Sequence, residues 1–358
     1  VLDPKISWLE NALDPLQAQS QLRAVVPKLR RVTTATLVRH KAGRRALVEY
    51  HLDTAAGTTA VLGKIRARGT DRASHQVQQD LWKTGWDAHS RDRLCVPEPL
   101  GLVPDWHMML QRKVPGTPAT QLLPTEQGIS LAQRIAALAH KLHRTPISTA
   151  KTHTLADELS ILRDRLPIVA AQHPQWSARI DRVLKACDRL ATRFSDPSAK
   201  ATHPPFHPST LPPIHPPTPH STIHRDFYAD QILVDGDRLW LVDLDLCCQG
   251  SPAVDIGNFT AHITEQSLRE LGNAEALRDR ETALQTAYLS AVDGATGVSE
   301  AATGLQREIE LYTVLTLVRH LHISTRIPSR RPYTEQLLEL CETHLSQLKQ
   351  SIKICGPS

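Results

Sequence analysis

The residues of this chain best placed for chemistry lie between Thr222 and Phe259. His224-Arg225-Asp226 precedes a short apolar run (Ile232, Leu233, Val234), Asp235-Gly236 turns the chain, and Leu239 to Leu241 leads to Asp243 and Asp245. Apolar runs on either side of an Asp-Gly pair predict a β-hairpin. Such a hairpin holds Asp226 at its entry and Asp243 at its exit, so two carboxylates converge on one mouth. One carboxylate there can accept a proton from a hydroxyl, and the other can hold a metal that neutralises phosphate charge. A lone Asp at a strand end more often forms a turn or caps a helix. The joint spacing of Asp226, Asp243 and Asp255 is what argues for chemistry.

A His-Arg-Asp loop, a hairpin and a further Asp match the phosphoryl-transfer pattern H-R-D-x-x-x-x-N followed by a metal-binding Asp. Here the Asn position holds Gln231, which carries the same amide oxygen on one more methylene. Asp243-Leu244-Asp245 and then Gly250-Ser251-Pro252-Ala253-Val254-Asp255 follow. In this order the run resembles the aminoglycoside phosphotransferase/choline kinase family of small-molecule kinases. The resemblance implies an α+β, protein-kinase-like bilobal fold with a small antiparallel-sheet N-lobe and a mostly helical C-lobe. It implies ATP and Mg²⁺, with a small hydroxylated acceptor: an aminoglycoside-like antibiotic, a sugar or an amino alcohol. Asp226 would then be the catalytic base, and Gln231 and Asp243 would hold the metal. Asp245 would be a second metal ligand or an acceptor behind it, and Asp255 would receive backbone N–H groups of the catalytic loop. The resemblance runs from about Val32 to about Val318 and is specific only within 222–259.

The elements that must position these residues follow from the rest of the chain. Residues 5–30 have helical apolar spacing broken by Pro15, and 32–38, 46–52 and 58–65 read as three strands. The loop 40–45, basic and containing Gly43, could cover phosphates with its N–H groups. Lys64 ends the third strand where the resembled family places its phosphate-binding Lys. The next helix, 72–85, should supply a Glu to orient that Lys and has none; Asp80 is its only carboxylate well inside the helix. The run from Trp106 to Gly116 resembles the last N-lobe strand and its hinge, so backbone groups of Leu110, Gln111 and Arg112 would hold adenine. Met108 and Met109 lie beside it as core filler or as a contact for the base. From Ser130 the pattern turns helical, and helices are expected at 156–172, 176–194, 262–271, 274–293, 298–325 and 332–353. The division is thus 1–111, a nucleotide-covering lobe with a helical preface, and 112–358, the catalytic and acceptor-binding lobe. A rival reading is a pseudokinase that binds nucleotide or scaffolds partners. Gln231 and the absent helix Glu favour it, and the retained Asp226, Asp243 and Lys64 oppose it.

Composition limits the alternatives. Charged residues at 22% and hydrophobic residues at 41% are ordinary for a globular chain. No apolar run approaches the roughly 20 residues that span a bilayer, and no basic-then-apolar signal pattern opens the chain, so a cytoplasmic location without membrane partners is expected. A net charge of +5 without a long basic block does not favour nucleic acid. The six cysteines form no Cys-x-x-Cys pair and read as reduced thiols. Nothing here reads out an oligomeric state. The stretch 196–221 is an insert with nine prolines and four histidines, a composition that excludes helix and sheet. Replacing Pro197 to Pro219 with a short Gly/Ser linker should therefore leave the melting temperature unchanged; a large fall would show that the insert packs on the lobe.

Overall fold

Asp14 and Pro15 shape the start of the chain. Asp14 accepts hydrogen bonds from the backbone N–H groups of Leu16 and Gln17, and Pro15 takes the first helical position, so α1 (Leu9–Leu13) gives way to a second helix, α2 (Pro15–Leu22). Pro15 therefore begins a helix as well as ending one. The computed structural model describes residues 3–195, 221–294 and 300–354. Their contacts form two compact units that are discontinuous in sequence. The first is Val1–Pro118, Ile147–Thr149 and Ile232–Cys247; the second is Ala119–Pro146, Ala150–Gln231 and Cys248–Ser358. This grouping by contact places the central hairpin in the first unit.

In the first unit, β1 (Leu29–Lys41), β2 (Arg45–Thr54), β3 (Gly57–Arg66), β5 (Pro99–Val103) and β6 (Met108–Arg112) form a five-stranded antiparallel sheet, ordered β1-β2-β3-β6-β5. Alternation along β2 buries Ala46, Val48, Tyr50 and Leu52 on one face. That face belongs to one core with Ile6, Leu9 and Leu22 from the helical preface and Val61, Ile65, Met108 and Leu110 from neighbouring strands. Met108 is thus core filler. Tyr50 donates its hydroxyl to the Ala12 carbonyl at 2.9 Å, tying sheet to preface. Between β3 and β5 lie α3 (Arg72–Leu81), a π-helical turn (Trp82–Trp86) and β4 (Leu94–Cys95). The expected helix 72–85 therefore stops being α-helical at Leu81. The predicted hairpin is present as β10 (Ile232–Asp235) and β11 (Arg238–Leu241), in a four-stranded sheet with β4 and β7 (Thr117–Pro118).

The second unit is largely helical: α4 (Ala119–Leu122), α5 (Gly128–Arg144), α6 (Leu155–Gln172), α7 (Ser177–Ser195), α8 (Ala253–Leu271), α9 (Arg278–Asp293), α10 (Glu300–Arg326) and α11 (Thr334–Ile354). A small sheet of β8 (Thr152–His153), β12 (Cys248–Gly250) and β9 (Ser221–Ile223) leads into the His224 loop. Ser221, the end of the expected insert, is thus in a strand; 196–220 lies outside the described residues. Helix α8 begins at Ala253, nine positions before the expected 262, because nearly every residue from 253 to 268 is buried and the apolar periodicity is masked.

Among the described residues, no helix is long and apolar enough to cross a membrane. Helix α8 meets α10 backbone to backbone at Gly257, where a Cβ would lie 2.7 Å from Tyr312 Cβ, 2.8 Å from Thr313 N and 2.9 Å from Ile309 O. Gly257→Ala should therefore lower stability by about 1–3 kcal/mol. Urea melts of the two forms would show it; equal midpoints would mean that the helices separate without penalty.

Candidate active site

Lys64 stands near the end of β3, and its Nζ lies 3.1 Å from Asp243 Oδ1 and 3.4 Å from Asp245 Oδ1. Arg66, two positions on, reaches Asp245 Oδ2 and Asp71 Oδ2 at 2.7 Å each. The carboxylates that orient Lys64 therefore come from the turn after β11 and not from α3. Asp80, the helix candidate, accepts from its own neighbour Gln76 at 2.8 Å on an exposed face. Burial lowers the pKa of the Lys64 ammonium, but the charges of Asp245 and Asp243 outweigh it and hold the value above the ordinary 10.5.

Asp243 sits in the left-handed region at φ 60° and leads a 3₁₀ turn, Leu244–Leu246, without capping it by its side chain. A non-glycine residue in this region is strained. Here that backbone accompanies a carboxylate aimed at Lys64 rather than at its own turn. Asp245 places its two oxygens on Lys64 and Arg66, an ion-pair position behind Asp243.

In the second unit, the loop after β9 carries Asp226. Arg225 is also left-handed, at φ 70°. The N–H groups of His224 and Arg225 both donate to the fully buried Asp255 carboxylate at 2.7 Å, as the sequence pattern implied. His143 Nε2 adds a third contact to Asp255 at 3.0 Å. A carboxylate only accepts, so Nε2 carries the proton and Nδ1 accepts from Tyr288 Oη, 2.6 Å away. Burial, and then the Asp255 charge, push the Tyr288 pKa up and keep that phenol a donor. Neither His143 nor Tyr288 had a signal in the sequence. Gln231 is buried and donates Nε2 to Asp226 Oδ2, 3.4 Å away.

The stretch expected to hold adenine, Leu110 to Arg112, is the end of β6. Leu110 and Gln111 are interior ladder residues paired to β3 on one side and β5 on the other. The Arg112 N–H goes to Glu98 O at 2.9 Å and its side chain to Glu98 and Thr59; the Lys113 N–H goes to Ala60 O at 3.0 Å. The chain leaves the sheet at Val114–Gly116. There Gly116 is required, since a Cβ would lie 2.9 Å from Val234 O. The loop 40–45 is likewise occupied: Asp3 accepts from Gly43 N–H at 2.8 Å and pairs with His40 at 2.8 Å.

The oxygen donors at Gln231, Asp243 and Asp245 are of the hard type that Mg²⁺ takes. Among the described residues no group of three or more His, Cys, Asp or Glu could hold a metal alone.

Lys64→Met should cost about 1–2 kcal/mol at neutral pH, a range reduced for the partial exposure of Asp243. Because the folded pKa of Lys64 is raised, its contribution is whole below 10.5 and lost as pH rises through the folded value. Urea melts across this range test it; a difference that is constant with pH contradicts the pairing.

The model of the phosphotransferase enzyme family, abbreviated APH, matches residues 36–288. A search of curated proteins found no match. Among solved structures, choline kinase from Cryptosporidium parvum superposes with TM-score 0.58 at 12% identity, over 94% of this chain and 96% of that one. A choline/ethanolamine kinase family protein from Mesorhizobium loti gives 0.52 at 18%, over 93% and 98%. An amicoumacin kinase in complex with AMP-PNP, Ca²⁺ and Ami gives 0.52 at 11%, over 86% and 88%. These likenesses are to the fold, which is protein-kinase-like and α+β. With the family model spanning more than half of its length, this chain belongs to the phosphotransferase enzyme family.

Proposed function

We propose that this phosphotransferase moves the γ-phosphoryl group of ATP to a hydroxyl of a small molecule. The observation that carries the reading is the pairing of Lys64 with Asp243 and Asp245, 179 and 181 positions away in sequence. A cation that binds phosphates and carboxylates that can hold their metal are the recurring parts of phosphoryl transfer. In this reading the acceptor hydroxyl donates to Asp226. As its oxygen bonds to the γ-phosphorus, the bond to ADP breaks and the proton passes to Asp226. Lys64 holds the donor phosphates as a point charge. Gln231 and Asp243 would hold Mg²⁺, with Asp245 behind them; when bound, the ion neutralises charge on the phosphates. Adenine would be held by backbone groups at the end of β6, Leu110 to Arg112, where the chain leaves the sheet. The amicoumacin kinase, which holds AMP-PNP and Ca²⁺ on a similar fold, supports a nucleotide with a divalent ion.

The acceptor class is a hydroxylated small molecule: an aminoglycoside-like antibiotic, a sugar or an amino alcohol. A choline-type quaternary ammonium calls for an aromatic cage, and aromatics are only 4% of this chain.

Asp226→Asn should lower phosphoryl transfer by about 10²–10⁴-fold while ATP affinity stays near that of the wild type. ADP release with a panel of aminoglycosides, sugars and amino alcohols, beside ATP titrations with and without Mg²⁺, tests this. Asp243→Ala should remove the Mg²⁺ dependence of ATP binding. No ATP affinity under any metal condition would overturn the reading, and so would retained turnover in the Asn variant.

A further inference from the structure

Asp255, Asn258, Phe259 and His262 are spaced to share one face of α8, and all four meet the loop 224–228. Asp255 takes the N–H groups of His224 and Arg225. Asn258 Nδ2 donates to the carbonyl of Phe227 at 2.9 Å. The rings of Phe259 and Phe227 lie 5.3 Å apart, and His262 stacks on Tyr228 at 4.4 Å and 19°. Asp226 is the one residue between the fixed N–H groups and the fixed carbonyl.

Behind Asn258 stands Arg319 of α10. Its Nη2 donates to Asn258 Oδ1, and its Nη1 lies 3.3 and 3.2 Å from the two oxygens of Glu158. Glu158 in turn meets His153 Nε2 at 2.8 Å. Asn258, Glu158 and His153 are 1%, 2% and 3% exposed, so every break in this chain leaves a buried polar group unpaired. Burial pushes the Glu158 carboxyl up, but the His153 hydrogen bond and the Arg319 charge outweigh it, so the carboxylate stays charged. The orientation of the Asn258 amide follows from its partners. A guanidinium only donates and a backbone carbonyl only accepts, so Oδ1 must face Arg319 and Nδ2 must face Phe227. To tie α6 to α10, the Arg319–Glu158 pair would suffice. The link through Asn258 joins α10 to α8 and carries the hold on to the loop.

We propose that Asn258, oriented by Arg319, is a positioning residue for phosphoryl transfer: it fixes the Phe227 carbonyl and thereby the placement of the Asp226 carboxylate. This rests on Asp226 being the base of the proposed reaction. Misplacement of a reacting group by about 1 Å can cost about 100-fold in rate.

Asn258→Asp separates this role from plain stability. The variant is isosteric and still accepts from Arg319, but it sets an oxygen against the Phe227 carbonyl where a donor stood. Steady-state ADP release with MgATP and the same acceptor panel should show kcat reduced by about 10- to 100-fold, with KM for ATP near that of the wild type. Arg319→Lys keeps a cation beside Glu158 but loses the fork to Asn258, and should show a smaller loss of the same kind. The double variant should be no worse than Asn258→Asp alone. If Asn258→Asp does not fold, Arg319→Lys carries the test. Wild-type kcat per folded molecule in the variants, with only a lowered melting temperature, would overturn the proposal. Turnover retained by Asp226→Asn would instead remove the base itself, a failure of the underlying reading that is distinguishable from failure of this one.

Discussion

The arrangement of the loop 224–228 depends on one buried carboxylate. Asp255 is fully buried and accepts from two consecutive backbone N–H groups and from His143. A buried charge without partners is costly, so the loop and the carboxylate depend on each other. The loop supplies donors to the Asp255 oxygens in the interior, and Asp255 holds Arg225 at a positive φ that the chain would otherwise avoid. Tyr288 then determines which nitrogen of His143 carries the proton, which keeps the third donor aimed at Asp255. A loop held through backbone groups can present its side chains in a fixed direction without restricting their identity.

The first unit meets a different constraint. Lys64 needs counter-charges, and helix α3 has no Glu to supply them. The turn after β11 provides two carboxylates, and Arg66 with Asp71 completes the cluster. Each acid in this cluster faces a cation, so the like charges of Asp243 and Asp245 are compensated rather than left to repel. Of the two, Asp243 is the more exposed, with 36% side-chain exposure against 16% for Asp245. The less exposed Asp245 is the one that faces both cations.

How much of this was legible in the sequence follows from how local each contact is. The hairpin, Asp226 and Asp243 could be read because their signals lie within one short run, and Asp255 because its donors lie in that same run. The partner of Lys64 was sought on the neighbouring helix and lies far along the chain. No local pattern records a pairing across such a distance. The strand 110–112 was recognised as a strand, but its place between β3 and β5 decides which backbone groups remain available, and sheet order is not encoded in a single strand. Asn258, Arg319 and Glu158 lie on helices whose apolar spacing is blurred by burial on all sides, so polar residues of that network look like ordinary helix positions. Helix extents in the second unit otherwise followed apolar period, as at α9 and α11.

The central claim is that Asp255 holds the loop that presents Asp226, and amide hydrogen exchange at His224 and Arg225 tests it most directly. In the native chain these two N–H groups should exchange only through opening of the buried helix α8, far more slowly than exposed loop amides. In Asp255→Asn, where one acceptor oxygen becomes an NH₂ group, exchange at one or both should rise by orders of magnitude while amides within α10 stay protected. Equal, fast exchange in both proteins would contradict the account, because it would mean that the loop is not held by this carboxylate.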